Sequence, residues 1–387
     1  MGLGKFPAAV VIFFFLLPAT ASSVTLYEKE DFKINLHGHA RYLLSSNEDP
    51  YFDGHVADNT TRLRTTFKFL TGTPAYGEVS LDSTYKFGSV LDSPLFIMTK
   101  DMPPPTYYNW EKTYIDEGDR YGQVSVYRAM FILEEQKYRL VLGRQRLAYG
   151  TALFWSPVDI WNPVSPLALE PELKTGVDGV SGTLWATDNL TFTALAGAAD
   201  EWEDAKVAGS ASYNIESYTL DFMVGKYRED EVYAFDFVGY IRDAGVRGEF
   251  TYTVNEEGDD FPRAVLGMDY AWPNGLYLAG EYYYNGGPLK INPLAPWEAY
   301  IESTGVDTLN RNFVGATMEY DIDPLMVGMI TVLYDVDKGS QMTGPSLVYY
   351  YSGSMTISGG GQFFSGAEDG EFGMYPDVGW FKLRWDF

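Results

Sequence analysis

From residue 32 to residue 44, apolar and polar side chains alternate almost without interruption. Phe32, Ile34, Leu36, Ala40, Tyr42 and Leu44 fall on one side of an extended chain, and Lys33, Asn35, His37, His39 and Arg41 on the other. Side chains in a strand point to opposite faces with a period of two, so the run predicts a two-faced strand. The rhythm continues over 62–70, where Leu63, Thr65, Phe67 and Phe69 oppose Arg62, Arg64, Thr66 and Lys68. It continues again over 78–87, with Val79, Leu81, Tyr85 and Phe87 opposing Glu78, Ser80, Asp82, Thr84 and Lys86. Further strands are predicted at 124–133 and 138–146, joined by Glu134-Glu135-Gln136. In the second of these, Leu140 and Leu142 share parity with Arg144 and Arg146, which predicts a bulge near Gly143.

Beyond residue 176 the pattern becomes a series of hairpins. The pairs are 177–185 with 190–197, 205–213 with 218–226, and 232–241 with 246–253. Three more follow: 263–272 with 276–284, 313–320 with 326–334, and 346–351 with 355–364. The connections (Thr187-Asp188-Asn189, Pro273-Asn274-Gly275, Ser352-Gly353-Ser354 and their like) carry the residue types that tight turns require. The chain closes on a strand with Phe381, Leu383, Trp385 and Phe387 on one face and Lys382, Arg384 and Asp386 on the other.

Eighteen strands are predicted in all, an even number, with short connections alternating with longer ones. The apolar face persists along nearly every strand and carries Tyr, Trp and Phe at the strand ends, as an aromatic girdle does. The fold class expected is all-β: a transmembrane, antiparallel, up-and-down β-barrel with one face against lipid and one against a watery lumen. A propeller would repeat a shared motif about every 40 residues, and none is present. A sandwich would have polar outer faces. The terminal Phe387 resembles the closing strand of bacterial outer-membrane proteins, which implies a handle for the barrel-assembly machinery. In that setting the short turns and both termini are periplasmic and the long loops extracellular.

Residues 1–21 read as a cleaved export signal: Lys5 as the basic flank, an apolar core over 6–17, and Ala19-Thr20-Ala21 as a small-residue cleavage site. The core is shorter than the roughly 20 residues that a membrane helix needs. Residues 22–387 are then a single barrel domain, and a closed barrel is the one way left for this chain to sit in a membrane.

Composition agrees, with 30 Tyr, 24 Phe, 9 Trp and 39 Gly but no Cys, which argues against a disulfide-stapled module. A net charge of −25 argues against nucleic-acid partners. Lumenal charge is sorted along the chain. Early strands supply Lys33, Arg41, Arg62, Arg64, Lys68 and Arg128, with His37 and His39 beside them; later strands supply Asp236, Glu249, Asp269, Glu281 and Glu319. The expectation is a pore with opposed basic and acidic walls, which select and orient permeating solutes. The rival expectation is a lumen closed by salt bridges.

Two long segments, 88–123 and 147–175, are candidates to fold inward as a constriction. The first holds Tyr107, Tyr108 and Trp110. The second holds Phe154, Trp155, Asp159, Trp161 and Asn162, with aromatics too closely spaced for an exposed loop. A self-packed cap outside the barrel mouth is the alternative. Just before it, the run 142–150 contains Gly143, Arg144 and Gln145, and 157–163 contains Pro157-Val158-Asp159 and Asn162-Pro163. These pieces resemble alginate-export-like outer-membrane barrels and related porin-like families. The resemblance implies an eighteen-stranded passive channel; alginate itself does not follow, since a polyanion exporter wants a more uniformly basic lumen.

Enzyme signals are poor. Of the three His, His37 and His39 lie two residues apart on the lumenal face, but no carboxylate or Cys stands at a recognisable ligand spacing. No phosphate-cradling Gly loop or nucleophile elbow is present. No catalytic residue, metal or cofactor is therefore expected. The function expected is passive diffusion of small hydrophilic or charged solutes, with outer-membrane lipid and lipopolysaccharide as surroundings. A plugged barrel serving as a hydrolase or surface-binding scaffold is the alternative.

Overall fold

The computed structural model describes residues 23–48, 54–104, 106–161, 165–174, 176–201, 204–227, 229–256, 258–289 and 307–387. The expected export signal and Asn162 lie outside these. Among the described residues the strands form one antiparallel sheet of twenty. They are β1 (Val24–Lys29), β2 (Phe32–Glu48), β3 (His55–Leu70), β4 (Ala75–Phe87), β5 (Glu111–Glu117), β6 (Arg120–Glu134) and β7 (Tyr138–Gln145). Next come β8 (Val177–Trp185), β9 (Leu190–Gly197), β10 (Lys206–Ile215), β11 (Tyr218–Tyr227), β12 (Asp230–Ile241), β13 (Ala244–Val254) and β14 (Phe261–Ala271). The last are β15 (Leu276–Asn285), β16 (Asn312–Asp323), β17 (Met326–Asp335), β18 (Ser340–Ser352), β19 (Met355–Ser365) and β20 (Val378–Asp386).

Eighteen of them close the barrel. Each pairs with the next in sequence, except that β4 pairs directly with β6, and β20 returns to β2 to close the ring. These eighteen coincide with the strands expected from alternation. Closure leaves no free edge in the lipid layer, which an open sheet could not achieve there.

The two strands that alternation missed, β1 and β5, extend edges that the barrel leaves bare. β20 covers β2 from His39 to Asn47, and β1 covers the same edge from Phe32 to Leu36. Between them, Gly38 and Phe387 exchange backbone hydrogen bonds of 2.8 and 2.9 Å. Likewise β7 covers β6 from Ala129 to Glu134, and β5 covers it from Arg120 to Ser125. Both are short, largely exposed ribbons without a sustained apolar face, so period-two hydrophobicity does not mark them.

The bulge expected at Gly143 is not where the register breaks. β7 keeps an unbroken register with both neighbours, and the irregularity lies across β6, between Ser80 and Leu81 of β4. Gly143 changes the facing of the strand by its backbone alone, at φ 117°. A Cβ there would stand 2.2 Å from the Ala129 carbonyl oxygen, so glycine is required. Leu142 consequently faces out, 60 % exposed, while Arg144 faces in and is buried.

Outward positions are large and apolar, as at Leu266, Met268, Phe222 and Val224. Inside, two apolar clusters flank the lumen. One joins Val265, Tyr283, Phe313, Leu333 and Met342 of the wall to Trp155 and Phe372. The other joins Val177, Leu195, Ala208, Met223 and Ala234 to Val158 and Trp161.

Candidate functional site

Segment 147–175 runs inside the barrel, and its described parts touch several stretches of wall. On the later strands, two buried glutamates receive its backbone. Glu249 accepts from the amides of Thr151 (2.5 Å), Ala152 (2.7 Å) and Val158 (3.2 Å), and from the Ser156 hydroxyl. Glu281 accepts from the amides of Leu153 (2.7 Å), Phe154 (3.2 Å) and Trp155 (3.1 Å). Five consecutive amides, 151 to 155, thus end on two carboxylates, each 3 % exposed. A non-repetitive backbone buried in a barrel must satisfy its N–H groups somewhere, and charged acceptors do so strongly.

On the early strands, and on β19 and β20 that closure sets beside them, the polarity reverses. Arg41 pairs with Glu170 (2.7 Å) and with Glu172, and Arg62 reaches Glu170 at 3.6 Å. Lys382 donates to the Leu169 carbonyl at 3.3 Å, and Gln362 to that of Leu167 at 2.9 Å. Arg128 donates to the carbonyls of Tyr127 (2.6 Å) and Lys174 (2.8 Å). Glu172 is held below the ordinary glutamate range. Burial pushes it up, but a hydrogen bond to its own backbone and the charges of Lys382, Arg41 and Arg384 outweigh this.

Between these anchors the segment buries Trp155 and Trp161 in the two apolar clusters. Trp155 stacks on Tyr283 with ring centroids 5.6 Å apart. Asp159, 1 % exposed, pairs with Lys174 of the same segment at 2.7 Å. Phe154 fits against Gly315, where a Cβ would lie 2.4 Å from its ring.

The other long segment behaves differently. It begins with a 3-10 turn at Ser89–Asp92 and a short helix at Pro94–Thr99, and then reaches across to the Arg144–Asp178 pair. Arg144 binds Asp178 through two bonds of 2.8 Å, donates to the carbonyls of Val126 and Tyr108, and sits over the Trp110 ring. The Tyr108 amide donates to Asp178 at 2.9 Å. Tyr107 also donates its hydroxyl to Asp200 at 2.6 Å, and Tyr107, Tyr108 and Trp110 keep 41 %, 51 % and 40 % exposure.

The remaining charges of the two walls are placed as follows. Arg62 and Arg64 share Asp82, at 3.2 and 2.6 Å, and Arg64 lies over the Tyr127 ring. Lys33 and Lys68 lie near Glu28 (3.6 Å) and Glu78 (3.5 Å) at the short-turn end. His37 and His39 stand opposite Thr66 and Arg64 in register, and His39 is buried. Asp236 lies between Asp221 and Glu249 in register, and Asp269 pairs with Arg247. Gln145 accepts from Ser181 at 2.5 Å. Among the described residues no group of three or more His, Cys, Asp or Glu is arranged to hold a metal.

Four acids that hold these cations are not singled out by sequence: Asp82, Glu170, Glu172 and Asp178. Asp82 stood on the polar face of its strand, a signal that was present. Glu170 and Glu172 sit in a loop, where no periodicity assigns a facing.

The segment and the β15–β17 wall enclose a cavity of about 480 Å³, lined by Phe154, Ser156, Tyr277, Thr317, Glu319 and Thr331 among others. A smaller one, about 160 Å³, lies between Arg62, Asp82, Arg144 and both long segments.

The architecture has close parallels among solved structures. Pseudomonas aeruginosa OccK5 (OpdH) superposes with a TM-score of 0.59 at 10 % identity, covering 92 % of this chain and 97 % of that one. Acinetobacter baumannii OccAB4 gives 0.57 at 10 % identity, again over 92 % and 97 %. A mutant of the Rh. blastica porin gives 0.50 at 14 % identity, over 92 % of this chain and all of that one. The likeness is one of fold. No protein-family model matches the sequence, and no curated protein does. These neighbours lend no support to the narrower alginate-export-like resemblance.

Proposed function

We propose that the chain is an outer-membrane channel through which small hydrophilic solutes diffuse passively, with segment 147–175 as its constriction. The observation that carries this reading is the clamped segment inside a closed barrel. An apolar exterior meets lipid, while the lumen is crossed by a backbone held between acidic and basic walls. An eighteen-stranded barrel is wider than its own side chains can fill, so a segment of this kind narrows it without closing it. The shared fold of a porin supports the reading. In this orientation the short turns are periplasmic, the long loops are extracellular, and the barrel contacts lipid and lipopolysaccharide. Transport needs no turnover and no cofactor.

Single-channel recording of the refolded protein in a planar bilayer tests the proposal. Discrete open steps with a defined reversal potential are expected. A silent bilayer, with folded protein shown by its altered gel mobility before and after heating, would favour a plugged barrel; the apolar packing of Trp155, Tyr283, Phe313 and Phe372 is the feature that such a result would bring forward.

A further inference from the structure

We infer that the 480 Å³ cavity beside the constriction is a station for a small organic cation, with Glu319 as its counter-charge. The inference rests on the channel reading and gives that channel a solute class.

The location comes from the strands. Tyr277 lies near the start of β15, Glu319 near the end of β16, and Met329 near the start of β17, so the cavity occupies the short-turn half of the lumen. Its upper boundary is the inward segment, at Phe154 and Ser156. Its size falls within the range of small-molecule sites, roughly 300–1,000 Å³.

The chemistry comes from which charges are already engaged. Arg41 is matched by Glu170 and Glu172, Arg62 and Arg64 by Asp82, Arg144 by Asp178, and Arg247 by Asp269. Lys174, the cation in the cavity wall, is matched by Asp159 at 2.7 Å. Glu319 differs: among the described residues it takes part in no hydrogen bond or ion pair, and it faces the cavity. The surroundings suit a partly apolar cation. Thr317 and Thr331 offer hydroxyls, while Phe154 and Tyr277 offer aromatic faces, which attract cations through their ring quadrupoles. An anion would meet an unmatched carboxylate and find no unmatched cation in that wall. Arg41, Arg62 and Arg64, which sequence alone assigns to selectivity, are therefore matched by acids, and the preference at this cavity is set by Glu319.

The test uses tetramethylammonium. In a bilayer under a potassium chloride gradient, the protein should prefer potassium over chloride, and added tetramethylammonium should reduce the open-channel current in a saturable way. Glu319→Gln should lower the cation preference and raise the half-blocking concentration at least tenfold, and Glu319→Lys should turn the preference toward chloride. Unchanged block and reversal potential in both folded variants would overturn the assignment, as would an anion preference in the parent protein. Calorimetric titration of the folded protein in detergent separates this from the channel reading. Glu319-dependent binding with a silent bilayer would leave the station standing and remove the channel; conductance without such binding would do the reverse.

Discussion

Gly315 shows how far one residue can govern the lumen. Its missing side chain leaves room for Phe154, and a Cβ would come within 2.4 Å of that ring. Gly315→Leu is expected to push Phe154 off the wall and cost about 1–3 kcal/mol by overpacking. A lower urea midpoint together with altered conductance would report it; an unchanged conductance would mean that the segment does not press on this wall. The Arg144–Asp178 pair is a second such point, with both side chains 4 % exposed. Asp178→Ala strands a buried guanidinium and should cost about 3–5 kcal/mol, whereas Asp178→Asn keeps a hydrogen-bond acceptor and should cost less. Urea unfolding in detergent compares the two.

At the scale of elements, the inward segment is a strap fixed at both ends by opposite chemistry. Amides meet Glu249 and Glu281 at one end, and Glu170 and Glu172 meet Arg41 and its neighbours at the other. Hydrogen bonds to a charged group contribute about 1.5–3 kcal/mol each, so losing both wall glutamates should free the strap while the barrel ladder stays whole. The Glu249→Ala, Glu281→Ala double variant should therefore fold, keep its altered gel mobility before heating, and conduct more, with noisier open levels. Normal open levels would show that apolar packing alone holds the segment. The other end predicts a pH response. Glu172 has its folded-state pKa below the ordinary glutamate value, so its contribution is present above the unfolded value and is lost as pH falls through the folded one. Open-channel noise should accordingly rise under acid conditions below the ordinary glutamate range, and Glu172→Gln should show that noise at neutral pH.

For the whole molecule, closure is the decisive event. β20 pairs with β2, and the chain ends with Phe387 bonded to Gly38 and stacked on Trp385. Until that seam forms, β2 and β20 each present a free edge. Deleting Phe387 is expected to reduce the yield of closed barrel while leaving the conductance of correctly folded molecules unchanged. A normal folded yield would remove this residue from the closing step. β1, abutting β20 on the same edge of β2, gives the seam a second cover that is independent of the C-terminus.

The sequence by itself determined the barrel. Period-two alternation across lipid and lumen is a local property, because each strand must satisfy two solvents at once, and turn residues mark where each strand ends. The eighteen strands and their order were therefore legible, and so was the sorting of Arg62, Arg64, Glu249 and Glu281 to the inner face. Only the tertiary structure decided what those charges do. Glu249 meets amides nearly a hundred residues away and Arg41 meets Glu172 at a separation of 131, contacts that no local pattern encodes. The same holds for the loop of Tyr107, Tyr108 and Trp110, which meets Arg144 and Asp178, residues 36 and 70 positions away from Tyr108. Charge sorted along a chain reveals which wall it stands on; whether it is free to meet a solute depends on what the loops bring to it.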